Sequence, residues 1–545
     1  MGPLPETSEE SLHSMNRVDV AILGGGLAGN LLARQLRREL PDASVAIFEK
    51  SHERTYKVGE STVEVATNYL SRRLGLQGYV YENHLPKNGL RYFFDTEAKD
   101  AALTDMSEIG VSVLPPWPSF QLDRARLEED LLAMNRADGV AVHIGARVKD
   151  LQVDADGHRF TVVHTPEGDD GSNASEEQWS ARWIVDGTGR ESILAKKLDL
   201  RVPEKGHRIA SAWGRMRGLA DMDDTGDDEF HARVRWTSRR LSTNHFMYPG
   251  YWLWLIPLRN GITSVGIVQE REQWSAAKHK PEGFLSFLRE HRAVREILGD
   301  DPELLDLQAF GQLAFQTKRF FGKERWACIG DSGAFTDPFY SPGSDFISFE
   351  NDLTVDLIRR DLQGDDFEKQ VDLADAYMKF RYDITLVIYQ DLYPTFGSYG
   401  LFRAKAFFDT AIYYNLVFDS YLKDEHLDPR HIRSSMRRRG FIMEMLQNYA
   451  ALFRNAGEEL RAKGRYFEQN TGHSSVDGRA AFGPLETAGA PRNRREINER
   501  NEAIFAHTRV LVAEALGESA SADAIVDGSK KMYDAWNRLA PGGAS

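Results

Sequence analysis

Near its start the chain carries a short apolar run, VDVAIL at residues 18–23, with β-branched side chains at Val18, Val20 and Ile22. This pattern predicts a buried parallel strand. A glycine cluster follows, and residues 27–40 then space their apolar side chains like a helix. Residues 44–48 predict a second short buried strand, so the fold opens with a β-α-β unit. Residues 120–137 predict an amphipathic helix opened by Asp123. Residues 140–165 alternate like the strands of a small sheet, and 168–178 read as a polar loop. Residues 182–189 and 325–333 are strands that end in glycine turns. Between them, about 205–320 is β-rich, with strands over 210–216, 251–257 and 263–268. From about 350 the spacing is helical to the end, except for a long Gly/Ser/Pro-containing loop over 465–495. The expected fold is α/β: a polar tail over 1–16, a Rossmann-type core over 17–360 with an inserted β-sheet region, and a mainly helical region over 361–545.

Composition narrows the function classes. The formal net charge is −14, which argues against a general nucleic-acid binder. The one cysteine, Cys328, builds neither an intramolecular disulfide nor a cysteine metal site. Apolar runs are too short for a bilayer, and the acidic N-terminus lacks the pattern of a signal peptide. The expectation is a cytoplasmic protein.

The glycine cluster reads Gly24-Gly25-Gly26-Leu27-Ala28-Gly29 and fits G-x-G-x-x-G. Gly24 permits the turn out of the strand, Gly26 lets backbone approach a pyrophosphate, and Gly29 lets the helix pack on the sheet. The helix N-terminus then offers free N–H groups to an anion. Glu49 ends the next strand, where a carboxylate accepts ribose hydroxyls. Two later glycine turns, Asp186-Gly187-Thr188-Gly189-Arg190 and Cys328-Ile329-Gly330-Asp331-Ser332, resemble those of flavoprotein monooxygenases. That resemblance implies FAD, with Arg124 and Asp331 joining the cofactor-binding set.

Three stretches are more specific. Trp252-Leu253-Trp254-Leu255-Ile256-Pro257 matches W-x-W-x-I-P. Gly59-Glu60-Ser61-Thr62 precedes Lys87-Asn88-Gly89 at the spacing of G-E-[SA]-T and K-x-G. Residues 335–343, FTDPFYSPG, match F-x-x-P-x-x-S-x-G. In this order they resemble the flavin-dependent halogenases. The resemblance implies an FAD-dependent enzyme that uses O2 and chloride or bromide, with reduced FAD from a separate flavin reductase. Hypohalous acid would travel to the catalytic Lys87, and a lysine there would fix the electrophile beside one ring carbon. Phe335, Pro338, Ser341, Gly343 and Ser344 would line the passage and halide site. Glu60 is the second catalytic candidate, as acid or base.

Two departures bear on substrate. Tyr340 stands where tryptophan-type halogenases carry a glutamate, which points to phenolic or pyrrolic aromatics. Pro342 has no N–H to offer a halide, leaving those of Gly343 and Ser344. A base for a phenol is not identified; His84 and His245 are candidates. Arg433, Arg437, Arg438 and Arg439 read as a solvated helix face. Free and carrier-tethered substrates remain alternatives, and the sequence does not fix the oligomeric state. Two other readings are an aromatic hydroxylase on the same scaffold and a flavoenzyme that modifies a protein partner.

Overall fold

A computed structural model describes residues 15–53, 55–475 and 488–518. Its first sheet is centred on the strand Asn16–Leu23. That strand pairs in parallel with Val45–Glu49 on one side and Ser175–Asp186 on the other. The sheet continues in parallel to Ala141–Ile144 and to Trp326–Cys328. The apolar run is continuous because both faces are covered. Val20 and Ile22 pack with Leu31, Leu32, Leu127 and Leu131 of two helices. Ala21 and Leu23 pack on the other side with Phe160, Val162 and Trp179 of an antiparallel meander.

Register brings the glycine turns together. Leu23 lies opposite Asp186, and Asp186 opposite Cys328. The strands therefore end level, and all three turns emerge at one carboxyl edge, where open α/β sheets bind ligands.

Among the described residues the second sheet has nine strands. Its centre runs Ile209–Arg217, Thr263–Glu270, Tyr251–Pro257, Thr243–Tyr248, Leu90–Phe94 and Ser107–Ile109. Helices Pro281–Arg289 and Arg292–Leu298 pack Phe284, Leu288 and Val294 on one face of this sheet. On the other face, Trp252, Trp254 and Ile256 meet Phe396, Tyr399 and Phe402 of the helical layer.

Some boundaries differ from the sequence reading. The strand Ser175–Asp186 takes in four residues expected to be loop. Ser175–Gln178 are exposed and carry no apolar pattern; backbone pairing to Thr161–His164 holds them. The β-rich region also contains the two helices just named. The first long C-terminal helix starts at Pro342, because proline is suited to the first helical position. Within 465–495, Ser474–Ser475 adds a short strand beside Ser107–Ile109. The rest of that loop from 476 to 487 lies outside the described residues, as do residues 1–14 of the N-terminal tail; Asn16 is already in a strand. The arginine-rich face is broken at Arg438, between Pro429–Arg437 and Arg439–Ala462. Among the described residues no helix is long and apolar enough to cross a membrane.

Candidate active site

The first turn has the shape of a phosphate cradle. Gly24 has φ +97°, and a Cβ there would lie 2.6 Å from the Gly187 carbonyl oxygen. A Cβ on Gly29 would lie 2.2 Å from the Gly24 carbonyl oxygen. Gly26 is different: the nearest atom to a Cβ would be Lys57 Nζ, at 3.9 Å. Packing explains the first two glycines, whereas Gly26 faces open space at the N-terminus of helix Leu27–Glu39. Glu49 is held in place because its Oε2 accepts the Gly25 N–H at 2.8 Å. Ala28 packs against the third turn, its Cβ 3.1 Å from where one on Gly330 would stand. Asp331 sits in that turn, half-buried. Burial raises its carboxyl, and the guanidinium groups of Arg190, Arg124 and Arg201 oppose the rise. Arg124 is anchored by donating to the Val58 carbonyl at 2.8 Å. An open glycine, a fixed carboxylate and free helix N–H groups at one sheet edge fit FAD.

Lys87 is placed by a short β-pairing. Phe120–Gln121 pairs with Leu85–Pro86, and Lys87 N–H donates to the Ser119 carbonyl at 2.8 Å. The Gly59–Thr62 segment crosses the same strand: Thr62 N–H donates to Phe120 and Leu122 N–H to Glu60. Lys87 Nζ thereby reaches the Ser61 hydroxyl and the Thr62 carbonyl, each at 2.8 Å. Its side chain is 4% exposed. Burial lowers the ammonium from 10.5 to about 8, against the pull of Glu64 and Asp345.

Lys87 is part of the lining of a cavity of about 380 Å³ between the second sheet and the helical layer. Tyr92, Ile109, Phe346 and Ile384 supply apolar wall, and Tyr340 and Pro342 belong to the lining. None of the glycine turns does. Three carboxylates absent from the sequence reading, Glu64, Asp345 and Asp409, share this cavity with Lys87. Glu64 Oε1 accepts the Tyr414 hydroxyl at 2.9 Å. Asp345 accepts Ala66 N–H at Oδ1 and the Tyr413 hydroxyl at Oδ2, both at 3.0 Å. Burial raises Asp345 to about 7; its hydrogen bonds and Arg381 oppose the rise, and Glu64 adds to it. Glu64 and Asp345 each lie two residues beyond a recognised motif, but acidity alone did not mark them.

Other candidates fall elsewhere. Glu60 is buried in an ion pair with Arg215 at 2.9 Å and is not part of the cavity lining. His84 uses Nδ1 to accept Asp123 N–H at 3.2 Å, and burial lowers it to about 4. His245 is stacked on Tyr92, and burial lowers it to about 3. Neither histidine lines the cavity. Tyr340 donates to Asp409 at 2.8 Å, so a carboxylate from the helical layer stands behind it.

The Phe335–Ser344 loop is fixed at several points. Phe335 exchanges two backbone hydrogen bonds with Phe315, and Ser341 N–H donates to Pro338. Ser341 adopts φ +57° directly before Pro342 opens the helix. At that first position an N–H has no intrahelical acceptor in any case, so the Pro342 ring takes one donor and leaves those of Gly343 and Ser344. Ser344 Oγ is buried without a hydrogen-bond partner among the described residues. Trp252 of the W-x-W-x-I-P strand is tied to this loop: its indole donates to Tyr393 at 2.9 Å, and Tyr393 to Asp337 at 2.8 Å. His207 completes the buried chain, 2.6 Å from Asp337. Trp254 donates to Ser264 at 3.1 Å, and Ile256 and Pro257 finish the strand.

Residues 17–344 match the FAD binding domain family. Among known proteins, the chain is 30% identical to flavin-dependent halogenase chlA of Dictyostelium discoideum over 441 residues, 76% of this chain and 72% of that one. It is 25% identical to tetracycline 7-halogenase of Kitasatospora aureofaciens, over 66% of this chain and 67% of the relative. The monodechloroaminopyrrolnitrin halogenase PrnC of Pseudomonas fluorescens is 23% identical over 67% and 66%. In fold, the crystal structure of halogenase PltM superposes with a TM-score of 0.68 at 16% identity, covering 91% of this chain and 97% of that one. Cradle, motif order and relatives agree: the chain is an FAD-binding oxidoreductase and belongs to the flavin-dependent halogenase family.

Proposed function

We propose that this enzyme halogenates an electron-rich aromatic, phenolic or pyrrolic, held in the Lys87 cavity. The observation that carries the reading is a buried lysine, Lys87, in the lining of a cavity to which the Phe335–Ser344 loop contributes and the glycine turns do not. Reduced FAD, brought by a separate reductase, would with O2 supply the oxidation of chloride or bromide to hypohalous acid. Gly24, Gly26, Ala28, Gly29 and Glu49 would hold the cofactor's phosphates and ribose, with Arg124 and Asp331 at the neighbouring turn. The N–H groups of Gly343 and Ser344 and the unpartnered Ser344 hydroxyl are the donors a halide needs. Phe335, Pro338 and Ser341 would shape the route from there to the cavity.

Lys87 then does the chemistry that decides position. As ammonium it donates to the hypohalous oxygen and protonates the departing hydroxide. As amine it can carry the halogen. Either form holds the electrophile beside one ring carbon, and proximity selects the site. Tyr340 and the apolar wall suit a planar ring without an indole-directed carboxylate at that position. Two similar proteins support the substrate class: the relative PrnC is named a monodechloroaminopyrrolnitrin halogenase, and the structural neighbour PltM has been crystallised with phloroglucinol. Glu60, bound to Arg215, would orient the Ser61–Thr62 segment under the lysine rather than transfer protons.

The test is Lys87→Ala in the FAD-loaded enzyme with a flavin reductase, halide and a panel of phenols. FAD content stays at the wild-type level and halogenated product falls at least about 1,000-fold, the loss of a residue acting in the transition state. Retained halogenation, or a hydroxylated product formed without halide, contradicts the reading.

A further inference from the structure

A phenol becomes a far better nucleophile as its hydroxyl proton leaves, so the cavity should hold a base. Four lining side chains have the chemistry: Glu64, Asp345, Asp409 and His507. Asp409 is committed to Lys405 at 2.5 Å and to Tyr340 at 2.8 Å. His507 is exposed and packs edge-on against Phe407. Glu64 is the carboxylate whose charge acts most strongly on the Lys87 ammonium. It balances the charge beside the reacting halogen. Asp345 remains.

Its setting is built rather than incidental. Asp345 comes from the first turn of helix Pro342–Gln363, one residue beyond the loop expected to hold halide. It reaches across to cap Ala66 N–H with one oxygen and takes the Tyr413 hydroxyl on the other. Tyr413 is itself steadied, its oxygen accepting Val65 N–H at 3.2 Å. Each carboxylate oxygen keeps a lone pair for one more donor. Glu64, Lys87, Tyr413 and Arg381 are the charged and titratable groups that act on it. Capping Ala66 alone would require neither the cavity wall nor the Tyr413 bond.

Resting on the halogenation reading, we propose that Asp345 is the catalytic base that receives the hydroxyl proton of a phenolic substrate. The ring carbon's electron pair forms the bond to halogen as the halogen–oxygen bond of hypohalous acid breaks. The departing hydroxide takes a proton from the Lys87 ammonium and becomes water. The phenol proton passes to Asp345, leaving a neutral halodienone. The ring C–H proton then returns to the Lys87 amine, Asp345 returns its proton to the oxygen, and both groups are restored.

The experiment compares resorcinol with 1,3-dimethoxybenzene, an equally activated ring without an O–H, in the FAD-loaded enzyme with reductase and chloride. In Asp345→Asn, which keeps an acceptor for Ala66, the resorcinol-to-dimethoxybenzene rate ratio falls about 100-fold. Resorcinol affinity, read from tryptophan fluorescence, stays within about threefold. The wild-type resorcinol rate falls off on the acid side near neutrality, and dimethoxybenzene shows no such limb. Tyr413→Phe removes a donor that stabilises the carboxylate, so it moves that limb to higher pH. An unchanged ratio in Asp345→Asn, or an unmoved limb in Tyr413→Phe, overturns the proposal while the halogenase reading stands. Halogenation of neither ring by wild type overturns the reading and the proposal with it.

Discussion

Lys87 differs from surface lysines in where its charge must live. An ammonium in water loses its proton near 10.5; here burial brings the change down to about 8 although two carboxylates act against it. Desolvation therefore outweighs the local attraction. At pH 7 the group is mostly ammonium, and between pH 8 and 10 it is mostly amine while surface lysines remain charged. Reductive ¹³C-methylation followed by NMR titration should give one resonance, absent in Lys87→Ala, with a midpoint near 8. A midpoint above 10 for that resonance would place the amine in water. The lysine was legible in the sequence because its motif has a fixed order and spacing. Glu64 and Asp345 were not, since only the fold brings residues from two distant segments to one cavity wall. His84 and His245 attracted attention by type; their burial and hydrogen bonds give them other work.

The elements explain which glycines serve packing and which serve a ligand. Alanine within a helix is intrinsically better than glycine by about 1 kcal/mol. At Gly29 that gain is outweighed, because a methyl 2.2 Å from the Gly24 carbonyl must force helix and strand apart, a strain of about 1–3 kcal/mol. Gly29→Ala should lower the melting temperature of the cofactor-free protein. Gly26→Ala should leave it unchanged yet weaken FAD binding at least about tenfold, since the added methyl meets only Lys57 Nζ, at 3.9 Å, besides the proposed pyrophosphate. Calorimetry and flavin fluorescence measure both; equal FAD affinity in Gly26→Ala would contradict the cradle. The β-α-β unit was readable because periodicity and turn chemistry agree there. The exposed start of the strand Ser175–Asp186 was not, because antiparallel backbone pairing leaves no apolar signature where both faces meet water. The start of the Pro342 helix was obscured because its first turn is built from small, polar and proline residues.

At the scale of the whole molecule, the chain separates two tasks. One sheet edge gathers three glycine turns for a cofactor, and the other sheet with its helices lines a largely apolar cavity. The Phe335–Ser344 loop joins them, braced through Asp337, Tyr393 and Trp252 to the W-x-W-x-I-P strand. This bracing gives Trp252 a structural role, whereas Trp254 is bonded to Ser264 within the sheet. Under the proposed function, a substrate in the cavity would be kept from direct contact with the cofactor, and a diffusible oxidant would have to link the two. The most direct measurement is a crystal structure of the enzyme with FAD and a bound phenol. A substrate ring carbon within about 4 Å of Lys87 Nζ, close to van der Waals contact, with the Phe335–Ser344 loop between ring and isoalloxazine, is the result expected. A phenol stacked on the isoalloxazine, away from Lys87, would contradict the account.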